Sequence, residues 1–158
     1  MWDQVVLQRT REDGDFVLAS GARSHVRFDC ARLTPKDYEA LAAQWLHWIY
    51  RNGAAPQVDL FVAVAHGGVA FAHELARQTD SLYGQSNKDG SLRGQIIDGF
   101  RAIVVEDVVT TGLTTQKVID ILGHMNVKVE GVASIIWRRD IVAKPSFRLW
   151  PLATFYGD

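Results

Sequence analysis

From Leu60 to Ala65 the chain reads Leu-Phe-Val-Ala-Val-Ala with no polar interruption, and Ala102-Ile-Val-Val105 repeats the pattern forty residues later. A strand that is apolar on both faces must be covered on both faces, which is the condition of a parallel sheet held between helices. The segments between these runs supply the covering. A helix is expected after His66-Gly67-Gly68 as far as Ala76, and another from about Thr114 to His124. Ser81 to Tyr83 reads as a short strand, Val127 to Trp137 as a third buried one, and Leu149 to Phe155 as a last. Residues 84 to 99 are polar and carry Gly84, Gly90, Gly94 and Gly99, so they read as one extended loop. Strands alternating with helices, joined by right-handed crossovers, predict an α/β fold: a doubly wound, mainly parallel sheet with helices on both faces.

Ahead of that core, residues 16 to 29 alternate around Ser20-Gly21 and read as two short strands about a turn. Thr34-Pro35 then starts a helix, with Thr as the cap and Pro where no backbone donor is needed. Tyr38, Leu41, Ala42, Trp45 and Ile49 recur at helical spacing, and Asn52-Gly53 reads as the stop. Trp45 and Trp48 are read as packing or dimer-contact residues. One domain over residues 1–158 is expected, with 34–145 as its core and 1–33 and 146–158 as edge elements. That length buries roughly two-thirds of the unfolded surface.

Composition narrows the function classes. A net charge of -1 gives no basic excess for phosphate neutralisation along a nucleic acid, so no nucleic-acid partner is expected. Cys30 is the one cysteine, which excludes an internal disulfide and a thiolate zinc cage. Met1-Trp-Asp-Gln4 lacks the layout of a signal peptide, and the 60–65 run is too short to span a bilayer. A soluble, cytoplasmic protein with no membrane partner is the expectation.

The chemistry concentrates in Glu106-Asp-Val-Val-Thr-Thr-Gly-Leu-Thr114. Ligands of doubly wound sheets bind beyond the carboxyl ends of the strands, and this string sits at such an end and enters a helix. Thr110, Thr111 and Thr114 offer hydroxyls, Gly112 lets the backbone curl, and the helix start offers free N–H groups: an anion cradle for one phosphate. Two carboxylates beside it would repel a bare anion. They suit a ligand that also carries hydroxyls, or one whose charge is bridged by Mg²⁺. A sugar phosphate meets both conditions, and neither a nucleoside-triphosphate loop nor a dinucleotide fingerprint is present.

This string resembles the 5-phosphoribosyl-1-pyrophosphate (PRPP) motif of type I phosphoribosyltransferases, in the form favoured by orotate phosphoribosyltransferases. The resemblance implies that Glu106 and Asp107 hold the ribose hydroxyls and that Thr110, Thr111, Gly112, Leu113 and Thr114 hold the 5-phosphate. Ala65-His66-Gly67-Gly68 looks like the family's pyrophosphate loop, although a strand followed by Gly-Gly is equally a tight turn into a helix. His66 is assigned no proton transfer. Phe16-Val-Leu-Ala-Ser-Gly-Ala-Arg-Ser24 resembles the segment that opens orotate enzymes and forms part of a small hood over the base. The likeness covers roughly Phe16 to Arg139.

The same resemblance implies transfer of 5-phosphoribose from PRPP to a base, most simply orotate, with release of pyrophosphate. Mg²⁺ is then held through PRPP with Glu106 and Asp107, and Lys88 is the cation of a closing loop. Phe28 and Arg139, with Arg138 as its neighbour one residue away, are the base-binding candidates; the arginine pair reads equally as a solvated strand end. A homodimer is implied because the family's loop reaches into a partner subunit. Four departures stand out: Ala19 replaces a usual lysine, and Val26-Arg27-Phe28 keeps only Phe28. Asn87-Lys-Asp-Gly90 lacks a histidine and an earlier lysine, with Arg93 as a substitute charge. The chain is also expected to stop short of the family's C-terminal helices. These departures keep two alternatives open: transfer to another purine or pyrimidine base, and a non-catalytic PRPP-sensing regulator.

Overall fold

The computed structural model describes residues 2–51 and 57–158, so the expected stop at Asn52-Gly53 lies outside the described residues. Six strands form the main sheet: β3 (Leu60–Val64), β4 (Leu82–Ser86), β5 (Leu92–Gly94), β6 (Arg101–Val109), β7 (Lys128–Arg138) and β8 (Leu149–Phe155). Their order is β5-β4-β3-β6-β7-β8, parallel throughout except for the β4–β5 pair. The α/β fold with a mainly parallel, two-sided sheet is the one predicted.

Alternation along the central strands explains both faces. Phe61, Ala63, Ile103, Val105, Ala133 and Ile135 point to one side and pack with α2 (Pro35–Arg51) and α3 (Val69–Thr79). Leu60, Val62, Val64, Ala102, Val104 and Val132 point to the other and meet α4 (Leu113–His124) through Val118 and Leu122. The five residues of β3 are all buried, so no position on it is free to be polar.

Tyr38, Leu41, Ala42, Trp45 and Ile49 of α2 are buried as their spacing predicts. Trp45 is a packing residue: its indole N–H donates to the Trp150 carbonyl at 3.0 Å and the two rings meet edge to face. The helix start is a reciprocal cap. The Asp37 N–H donates to Thr34 Oγ1 (3.2 Å), and the Thr34 N–H donates to Asp37 Oδ2 (2.7 Å).

Three elements differ from expectation. Residues 2–10 form α1 (Trp2–Thr10), a helix the reading above does not include: Val5, Val6 and Leu7 are contiguous, and only Val6 of the three is buried. β1 (Arg11–Val17) begins well before residue 16 despite its charged Arg-Glu-Asp-Gly-Asp start, because β2 (Arg23–Phe28) templates it from Arg11↔Phe28 onward. The stretch 84–99 is not one long loop: Gly84↔Gly94, Gln85↔Arg93 and Ser86↔Leu92 pair antiparallel, leaving a tight turn at 87–91. In addition, β6 continues through Val109, so Glu106 and Asp107 belong to the strand, paired along β7 by Glu106↔Ser134.

Candidate active site

β3 leads through α3 to β4 on one side, and β6 leads through α4 to β7 on the other. The chain therefore reverses its winding between β3 and β6, and a crevice must open beyond their carboxyl ends. A cavity of about 590 Å³ lies there, roofed by the β1–β2 hairpin. Its wall contains Val17 to Ser20, Arg27 and Phe28 from the hairpin, Val64 at the end of β3 and Ala65 just beyond it, Glu106 to Thr115 and Lys117 from β6, α4 and the turn between them, and Arg138 from β7.

The 5-phosphate candidates Thr110, Thr111, Gly112, Leu113 and Thr114 come together in this wall. Gly112 sits at φ +81°, which only glycine adopts without strain, and the Phe147 ring closes over it. The turn is braced by the Leu113 N–H donating to Thr111 Oγ1 and the Gln116 N–H donating to the Gly112 carbonyl. The first turn of α4 carries no acidic residue that would oppose an anion at its N-terminus.

Glu106 and Asp107 line the cavity next to this cradle. Burial, and then the neighbouring Asp107 charge, push the Glu106 carboxyl well above the ordinary carboxylate range. Thr115, buried on the first turn of α4, hydrogen-bonds to Glu106 and opposes that shift. Asp107 is oriented by the Val108 N–H, which donates to its Oδ1 at 2.7 Å. The pair can thus present both an acceptor and a reluctant acid to vicinal hydroxyls. Beneath it lies Cys30, whose thiol is pushed far up, first by burial and next by the charge of Asp107; it is a packing residue and not a nucleophile.

The Gly67-Gly68 turn is explained by the same carboxylate. A Cβ on Gly67 would collide with the Asp107 carboxylate, and one on Gly68 with the Val105 carbonyl. The Ala65–His66 peptide is cis, and Ala65 lies in the cavity wall. His66, Gly67 and Gly68 are outside the wall itself, with His66 and Gly67 exposed to solvent.

The base-binding candidates separate. Phe28 lines the cavity, braced edge to face by Phe155. Arg138 also reaches the wall but is only 2% exposed, and its guanidinium is already committed. It donates to both Asp140 oxygens, to the Val26 carbonyl (2.9 Å) and to Ser24 Oγ (3.1 Å). Arg139 points away, exposed over the Trp137 and Tyr156 rings. Lys88 is exposed at the tip of the β4–β5 hairpin and does not line the cavity. Two cavity cations were not among the candidates, Lys117 and Arg27. Lys117 follows Thr114 by three positions on a helix, a spacing that places it on the cradle side.

An anion cradle and an adjacent carboxylate pair at the switch point of a doubly wound sheet define a domain built to hold a sugar phosphate. Residues 33–150 match the phosphoribosyl transferase domain, and the chain belongs to that family. It is 33% identical over 135 residues to orotate phosphoribosyltransferase of Thermoanaerobacter sp. strain X514, covering 80% of this chain and 68% of the relative. The same enzyme of Caldicellulosiruptor bescii is 33% identical over 132 residues, with the same coverage. Among solved structures, orotate phosphoribosyltransferase from Aeropyrum pernix superposes with a TM-score of 0.80 at 29% identity, over 98% of this chain and 94% of that one.

Proposed function

We propose that this chain is a pentosyltransferase that moves 5-phosphoribose from PRPP to orotate, giving orotidine 5'-monophosphate and pyrophosphate. The observation that carries the reading is the continuity of β6 into α4, which sets Glu106 and Asp107 beside the Thr110–Thr114 cradle under the β1–β2 hairpin. Displacement of pyrophosphate at C1 passes through an oxocarbenium-like state, so the protein's task is to orient the ribose and hold the base close to C1. Asp107, pinned by the Val108 N–H, accepts from one ribose hydroxyl, and Glu106 engages its neighbour. Ala65 and the Gly67-Gly68 turn offer backbone approach for the diphosphate, and Phe28 a face for the base.

Mg²⁺ suits this donor set. Among the described residues no cluster of three or more His, Cys, Asp or Glu forms a cage, so the protein offers two hard carboxylates and leaves the remaining coordination to substrate oxygens. When bound, the ion would neutralise charge on the leaving diphosphate. Lys88, at the tip of the β4–β5 hairpin, is the cation assigned to meet that diphosphate on closure. A homodimer fits the same role for the hairpin. Trp48, exposed on α2, is a candidate contact. A cytoplasmic setting fits a chain in which no described helix is long and apolar enough to cross a membrane.

Ala19 in the wall, where orotate enzymes usually place lysine, favours a second reading in which another base is used. Pyrophosphate release from PRPP and Mg²⁺, measured with orotate, uracil, adenine, hypoxanthine and guanine, separates them. Orotate-dependent release that falls in Lys88→Ala and Asp107→Ala supports the first. Release with a different base alone establishes the second. Silence with retained PRPP binding overturns both and favours a sensor.

A further inference from the structure

The base end of the cavity has few cations to offer. Ala19 presents a methyl group, and Arg138 is saturated by Asp140 and the hairpin backbone. Arg139 lies outside, and Lys117 stands at the opposite end beside Thr114. Arg27 remains. It lines the cavity from β2, in the same hairpin as Ala19 and next to Phe28.

Its setting is that of an oriented, half-exposed donor with N–H groups to spare. The Nε–H is fixed by Glu12, its cross-strand partner in the hairpin, and the guanidinium lies 4.6 Å over the Phe16 ring. Nη1 and Nη2 donate to no described residue. Glu12 does not neutralise it, because the same carboxylate also accepts from Arg32 Nη2 at 2.6 Å. Two guanidinium groups therefore share this one carboxylate. A guanidinium with two free, coplanar N–H groups matches a carboxylate bidentately.

We propose that Arg27 is a specificity-determining residue of the base site, and that it selects a planar nitrogenous base carrying a carboxylate. The proposal rests on the transferase reading above. It assigns to position 27 the anion recognition that Ala19 cannot provide, and it favours orotate over an uncharged pyrimidine.

The test compares wild type with Arg27→Gln and Arg27→Lys, using orotate and uracil as the two bases at saturating PRPP and Mg²⁺. Arg27→Gln is expected to raise KM for orotate about 10- to 100-fold, the size of one charge-assisted hydrogen bond. The orotate-to-uracil ratio of kcat/KM should fall by the same factor, with KM for PRPP within twofold of wild type. Arg27→Lys, which keeps the charge but loses the fork, is expected to recover part of the loss. Thermal unfolding within a few degrees of wild type separates this from a damaged hairpin, and calorimetric binding of orotate to the PRPP-loaded variants gives the same comparison without turnover. If wild type prefers orotate and Arg27→Gln keeps that preference, the assignment of Arg27 falls while the transferase reading stands. If wild type transfers to uracil or a purine and not to orotate, both fall.

Discussion

The two ends of the cavity are built by opposite means. At the phosphate end the ligand-facing surface is mostly backbone and hydroxyl, set by a strand whose residues 102–105 are buried and by the first turn of a helix. At the hood end it is side chain on a two-stranded hairpin that shares no sheet with the core and is charged along most of β1. Backbone groups at a strand end cannot be altered without altering the sheet, whereas Ala19 and Arg27 can each change alone. Under the proposed function, recognition of the sugar phosphate is therefore tied to the fold, and recognition of the base is not.

The largest effect that breaks this contrast comes from the joint between the ends. Arg138→Met removes the buried guanidinium that holds Ser24 and Val26 of the hood and leaves Asp140 without its partner. A loss of about 3–5 kcal/mol in stability is expected, read by thermal or denaturant unfolding. Intact stability would show the hood to be held by its apolar contacts alone. Asp107→Ala attacks the fixed end: kcat should drop about 10²- to 10³-fold, the size of one lost preorganised contact, with the fold retained by circular dichroism. Gly67→Ala tests whether that end tolerates a single methyl group. The Cβ must displace the Asp107 carboxylate, so about a 10²-fold loss of kcat/KM for PRPP is expected, against little change in unfolding temperature.

The smallest effect lies away from both ends. Hydrogen bonding to the Thr34 backbone N–H, then to the Thr34 side chain and to Arg9, holds the Asp37 carboxyl below its ordinary value. A lowered folded value means that its stabilisation is complete above the unfolded pKa of about 3.9 and disappears as pH falls through the folded one. Asp37→Asn should cost about 1 kcal/mol at pH 7 and flatten the acid limb of the stability curve below about pH 4. A parallel loss at every pH would assign the effect to shape and not to charge.

The same contrast explains what could be read from the residues beforehand. Runs such as Leu60–Val64 and Ala102–Val105 admit one environment, so the sheet and its two covered faces were legible, and with them the cradle at the end of β6. The Glu106-to-Thr114 string was legible because its chemistry is local in the chain. Arg27, Arg138 and Arg139 were not, because nothing local distinguishes a guanidinium that faces a ligand from one that anchors a hairpin or stacks on Trp137. That choice is made by Glu12, Asp140 and Tyr156, which are distant in sequence or on the far side of a turn. The β4–β5 pairing escaped for a related reason. Gly84 and Gly94 are turn residues by composition, yet here they sit opposite each other with Gly94 at φ +116°. α1 escaped because it is held by packing against β8.

The buried guanidinium that fastens the hood has a meaning for descent and for design. A hairpin joined to its domain by Val26 and Phe28 packing, by one buried arginine and by the Arg11–Asp158 and Arg32–Glu12 ion pairs at its rim is nearly a detachable part. Mutation can explore the hairpin's turn and its outward side chains without disturbing the cradle, so new base preferences can arise on an unchanged sugar-phosphate site. The same property makes residues 16–29 a natural segment to graft between relatives, provided that position 138 keeps its arginine and Asp140 stays to receive it.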